Sequence, residues 1–143
     1  MNNYVPLLLT ITLIASCQQS PDLIATKQAI RSADSSFSAL SKEKGHKTAF
    51  LSYIDSSQGT LLRPGRLPFT GLAAVALLTK TNDSGQTLTW EPLYVDAAAS
   101  GELGYTYGTY KFVLKDTTIT GTYCSIWKKN TRGEWKFVLD TGT

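Results

Sequence analysis

LGYTYGTYKFVLKDTTITGTYCSIWKK, residues 103–129, decides the fold. Two aromatic and β-branched runs flank Asp116-Thr117, which reads as a tight turn joining two antiparallel strands. With the turn closed there, Gly108 lies across from Ser125 and Tyr110 across from Tyr123. One face then carries Thr106, Gly108, Tyr110, Phe112, Tyr123, Ser125 and Trp127. The other carries Tyr105, Tyr107, Lys111, Cys124, Ile126 and Lys128, and its lysines turn it toward water or a partner. TLTWEPLYVDAAA (87–99) before this hairpin and EWKFVLDTG (134–142) after it extend the pattern to a four-stranded antiparallel meander.

Upstream the periodicity changes to that of helices. Ser20-Pro21-Asp22 is a start signal with Ser20 as a candidate cap, and Leu23, Ile30, Ala33, Phe37 and Leu40 repeat at three- and four-residue steps until Gly45. HKTAFLSYI predicts a second helix burying Ala49, Phe50 and Tyr53. TLLR predicts a short strand, and GLAAVALLTK predicts a third helix, capped by Thr70 and apolar on most sides, hence well buried. Helices followed by a meander give an α+β layout with the helices on one face of a curved sheet.

The chain has 143 residues, enough for one domain with a real core. Its net charge of +3 is dispersed, and the basic cluster KEKGHK reads as a solvated helix end, so nucleic-acid binding is not indicated. A single histidine, His46, excludes a His-rich metal site, and the residues call for no metal or cofactor. Ser41-x-x-Lys44 lacks the companion motifs of a Ser-Lys nucleophile, and GYTYGTY lies in a strand and opens no helix for phosphate.

The amino-terminal VPLLLTITLIA spans 11 residues, short of the about 20 that cross a bilayer but of signal-peptide length. Ile14-Ala15-Ser16-Cys17 resembles the lipobox of bacterial lipoproteins, although MNNY before the apolar run lacks Lys and Arg. The resemblance implies a signal peptide over 1–16, lipidation of Cys17 with a short tether over 17–21, and a domain over 22–143. It places the protein in a bacterial cell envelope, anchored to a membrane on the periplasmic or outer-membrane side. An ordinary secretory signal is the alternative. With Cys17 lipidated, Cys124 has no disulfide partner and reads as a small, partly buried strand residue.

DSSFSAL, AFLSYI, LLRPGRLPFTG, LTWEPLYVDAAASGELGYTYGTY, GTYCSIWKK and GEWKFVLDTG follow in order between Leu23 and Gly142. This series resembles the nuclear transport factor 2-like superfamily and, within it, the domain of unknown function 4440 or SnoaL-like family. The resemblance implies a cystatin-like cone: three helices on a curved antiparallel sheet, a pocket between them, and a homodimer through the sheet's outer face. Members include isomerases, dehydratases, cyclases, ligand binders and structural modules, so the fold alone does not give the activity.

Chemistry of the ketosteroid-isomerase kind needs a carboxylate in an apolar pocket and an oxyanion donor. Asp34, Asp55 and Asp140 are the acids able to project inward, with Tyr53, Tyr110 and Tyr123 as phenols; Asp140 or Asp55 with Tyr123 is the catalytic candidate. Competing readings are a solvated helix acid for Asp34, a turn former for Asp55 and a strand-end cap for Asp140. Asp140 shares strand parity with Lys136 and Val138, so burying it conflicts with burying Trp135 and Phe137. Arg63 is a candidate for an anionic ligand group at the rim, or a solvated strand-end residue. Tyr53, Trp90, Tyr110 and Trp127 are the candidate pocket wall, with core packing the alternative for the tryptophans. His46 reads as exposed. Three functions result: a pocket binding a small, largely apolar molecule, an isomerase or lyase, and an accessory lipoprotein acting through its sheet face.

Overall fold

The computed structural model describes residues 20–143; the expected signal peptide and Cys17 lie outside the described residues. Its elements are α1 (Leu23–Lys44), α2 (His46–Tyr53), β1 (Thr60–Leu62), β2 (Phe69–Thr70), α3 (Leu72–Lys80), β3 (Thr87–Ala97), β4 (Leu103–Val113), β5 (Thr118–Lys129) and β6 (Trp135–Gly142). One six-stranded sheet runs in the order β2-β1-β6-β5-β4-β3. The meander is antiparallel throughout, but β1 joins β6 in parallel, so the sheet is mixed rather than wholly antiparallel. Among the described residues no helix is long and apolar enough to cross a membrane.

Asp22, not Ser20, caps α1, its carboxylate accepting from the Ile24 and Ala25 amides. The buried stripe of α1 includes Ile30, Asp34, Phe37, Ser38 and Ser41, and it lies along the outer edge of β3. There the helix takes the place of a further strand. Ser38 Oγ donates to the Trp90 carbonyl at 2.8 Å and accepts from the Trp90 amide at 2.8 Å. Ser41 Oγ donates to the Leu88 carbonyl at 2.6 Å, and Arg31 to the Pro92 carbonyl at 2.6 Å. Pro92, which has no N–H, sits beside a bulge at Leu93. An otherwise bare strand edge is thereby closed.

Gly45 joins α1 to α2 with φ at 87°, and a side chain there would strike the Asp83 carboxylate, which accepts from the Lys47 amide at the start of α2. The expectation for α3 is corrected. Gly71 rather than Thr70 precedes it, Thr70 belongs to β2, and only Ala74 and Leu78 are buried while Leu72 is 81% exposed. The helix lies outside α2 and β2, so only one of its faces meets the core.

The β4–β5 turn centres on Lys115-Asp116, one residue earlier than expected, which pairs Gly108 with Tyr123 and Tyr110 with Gly121. A slip of two preserves parity, so the predicted inner and outer faces stand although every pairing moves. The β5–β6 conflict resolves through a bulge: Ser125 pairs with Asp140 and Trp127 with Phe137, leaving Val138 as the extra residue. Asp140, Phe137 and Trp135 are therefore all buried. Phe37 centres the core, its ring 4.8 Å from that of Phe50, 4.4 Å from Trp90 and 5.6 Å from Phe137.

Candidate functional site

Where the sheet curves away from α2, a cavity of about 260 Å³ remains open. Its walls are aromatic and aliphatic: Phe50 from α2, Leu88 and Trp90 from β3, Tyr110 and Phe112 from β4, and Tyr123 from β5. Its polar end holds Arg63, Asp140 and Thr141–Thr143. Five residues singled out in the sequence, Arg63, Trp90, Tyr110, Tyr123 and Asp140, thus meet in one cavity. Gly108 makes part of this possible, because a side chain there would run into the Glu91 carbonyl and come within 3.0 Å of the Tyr123 ring.

Two buried carboxylates flank Tyr123. Asp140 is 6% exposed and lines the cavity. One of its oxygens accepts from Arg63 Nη2 at 2.9 Å and the other from Ser125 Oγ at 2.9 Å. Arg63 Nη1 donates to the Asp140 carbonyl at 3.2 Å and to the Leu62 carbonyl at 2.8 Å. Asp34, fully buried, stands behind the wall. It accepts from Trp90 Nε1 at 2.7 Å and from the Tyr123 hydroxyl at 2.7 Å. Burial pushes the Asp34 carboxyl above its usual range, opposed by hydrogen bonds from Tyr123, Thr106 and Trp90. Burial, then the neighbouring Asp34 charge, pushes the Tyr123 phenol far up, so it acts as a neutral donor.

The remaining candidates lie elsewhere. Asp55 forms a turn, accepting from the Ser57 amide at 2.9 Å, the Ser57 hydroxyl at 2.6 Å and the Gln58 amide at 3.0 Å. The Ser57 hydroxyl in particular holds its carboxyl low, the reverse of what a general base needs. Tyr53 stacks on Phe37 at 4.9 Å behind the cavity, and Trp127 is wholly buried, donating to Thr106 at 2.9 Å. His46 is not exposed: its Nδ1 is buried without a hydrogen-bond partner, 3.9 Å from Asp83, and its ring meets Phe112 edge-on. Cys124 is half-buried on the outer face, where burial pushes its thiol up, away from reactivity. Among the described residues no three His, Cys, Asp or Glu side chains gather to hold a metal.

Asp34 is the central polar group, and helical spacing is the signal that finds it. It lies four residues from Ile30 and three from Phe37, inside the apolar stripe rather than opposite it. Phe50 reads in the sequence only as part of the buried face of α2, and Leu88 and the 141–143 segment carry no comparable signal, since the pairing of β3 with β4 and of β6 with β1 and β5 brings them to the cavity.

No family model matches the chain, and no curated protein matches it. Solved structures do. A conserved protein from Planctomyces limnophilus shares 20% identity over 82% of this chain and 94% of its own, with a TM-score of 0.63. A ketosteroid isomerase-like protein from Erwinia carotovora atroseptica shares 13% identity over 81% and 93%, with a TM-score of 0.63. An NTF2-like protein of unknown function from Pseudomonas putida shares 13% identity over 84% and 87%, with a TM-score of 0.66. The fold is the nuclear transport factor 2-like, cystatin-like cone; at these identities the likeness does not extend to activity.

Proposed function

We propose that this domain binds a small, largely apolar molecule in its aromatic cavity, and that a lipid on Cys17 holds it at a membrane of the bacterial envelope. The observation that carries the reading is the state of the two acids beside an open cavity. Asp34 has both oxygens engaged and is shielded by Trp90 and Tyr123, while Asp140 is held by Arg63 and Ser125. Neither is poised to take a proton from a molecule in the cavity, which argues for binding over isomerase or lyase chemistry. Concave, mainly apolar sites with a few polar groups at one end are the usual form of small-molecule pockets.

The outer face supports pairing with a second copy. Tyr94 and Tyr107 stack there at 5.2 Å, Tyr105 lies 6.1 Å from Tyr94, and all three are exposed.

Isothermal titration of the domain with 2-naphthylmethanol, a neutral apolar probe, tests the reading. Saturable binding that disappears when Leu88→Trp fills the cavity is the expected result. Binding undiminished in Leu88→Trp would overturn it, as would failure of the wild type to bind either this probe or its carboxylate analogue 2-naphthoate.

A further inference from the structure

We propose that the molecule bound in this cavity carries a carboxylate, held by the unoccupied edge of the Arg63 guanidinium; the inference rests on the cavity being a ligand site. A guanidinium has five N–H donors arranged in planar forks. In Arg63 three are engaged: Nη1 uses both of its hydrogens on the Leu62 and Asp140 carbonyls, and Nη2 uses one on the Asp140 carboxylate. Among the described residues, Nε–H and the second Nη2 hydrogen have no acceptor. These two lie side by side on the same edge of the plane, the arrangement that meets both oxygens of a carboxylate with parallel bonds.

The edge is open. Arg63 lines the cavity with its side chain 30% exposed, and Nε is not a buried orphan. It is also held still. Asp140 grips the opposite fork, Ser125 fixes Asp140, and the Phe50 ring lies 5.7 Å beneath the guanidinium carbon. Because Asp140 balances the charge of Arg63, the site would select by the paired geometry of the donors rather than by a positive field. Among the side chains lining the cavity Arg63 is the one cation and Asp140 the one carboxylate. The opposite end is aromatic, so the ligand class is an apolar or aryl monocarboxylate, with its ring among Trp90, Phe112 and Tyr123 and its carboxylate toward Arg63.

The test compares 2-naphthoate with the neutral 2-naphthylmethanol by isothermal titration at neutral pH. In the wild type the carboxylate should bind about tenfold tighter or more, the scale of charge-assisted hydrogen bonds. Arg63→Gln should abolish that preference. Arg63→Lys, which keeps the charge but has no planar fork, should lose most of it. Equal binding of both probes by the wild type would overturn the carboxylate assignment while leaving the cavity reading intact. A preference that survives in both variants would overturn the role of Arg63, and failure of both probes would overturn the inference together with the cavity reading. The wild-type comparison stands even if a variant folds poorly.

Discussion

Replacing Asp34 separates two effects that the structure sets against each other. Its carboxylate accepts from Trp90 Nε1 and Tyr123 Oη at 2.7 Å each, yet it is fully buried. Asp34→Ala orphans both donors at about 1–3 kcal/mol apiece, with Trp90 at the lower end because it is only half-buried, for an expected loss of about 2–4 kcal/mol. Asp34→Asn should cost about 1 kcal/mol or less. Its carbonyl oxygen still accepts from Trp90 and its amide donates to the Tyr123 oxygen, freeing that hydroxyl for Thr106. The pH dependence carries the sharper test. A carboxyl raised above its ordinary 3.8 binds more protons in the native than in the unfolded state, so wild-type stability falls as pH rises from there to the folded-state value. Asn does not titrate. Urea unfolding followed by tryptophan fluorescence between pH 4 and 8 should therefore show the asparagine variant gaining on the wild type as pH rises, then levelling off. A gap moving the other way would mean that the hydrogen bonds outweigh burial and would refute the reasoning.

The remaining predictions concern backbone space, a second titrating group, a turn and the outer face. Gly108→Ala should destabilise by about 1–3 kcal/mol in urea unfolding, because its neighbour is the Glu91 carbonyl rather than a side chain that can move aside. Burial lowers the pKa of His46 below its ordinary 6.5, with the Asp83 charge opposing, so the native state takes up fewer protons. Stability should thus fall as pH drops below about 6.5, a component missing from the unfolding profile of His46→Phe. Asp55→Ala should cost about 1 kcal/mol through its lost turn bonds while leaving probe binding in calorimetry unchanged. The proposed pairing through the outer face predicts a wild-type dimer by light scattering, and Tyr107→Arg, placing charge among the outer tyrosines, should shift the mass to that of a monomer; a wild-type monomer would contradict the pairing.

Alternation along residues 103–129 made the inner and outer faces readable before any pairing was known, because an error of two in register leaves parity intact. Asp140 was not readable in the same way. A single extra residue, Val138, reverses parity within one strand, and alternation cannot announce a bulge. The parallel pairing of Leu61 with Asp140 joins residues far apart in the chain, so no local pattern predicts it, yet it seats Arg63 beside that carboxylate. For α3 the apolar composition pointed to burial, whereas the fold presents Leu72 to solvent. The cavity itself is the sum of such long-range placements. Its aromatic residues were legible as a set, but its shape was not.

Native mass spectrometry of the protein extracted from its own envelope, beside the Leu88→Trp variant prepared identically, tests the central claim most directly. The account predicts a wild-type chain bearing acyl mass on Cys17 and a small-molecule adduct lost on mild activation, with that adduct absent from the variant. A wild-type chain without an adduct, or the same adduct on both proteins, would contradict a ligand-binding cavity.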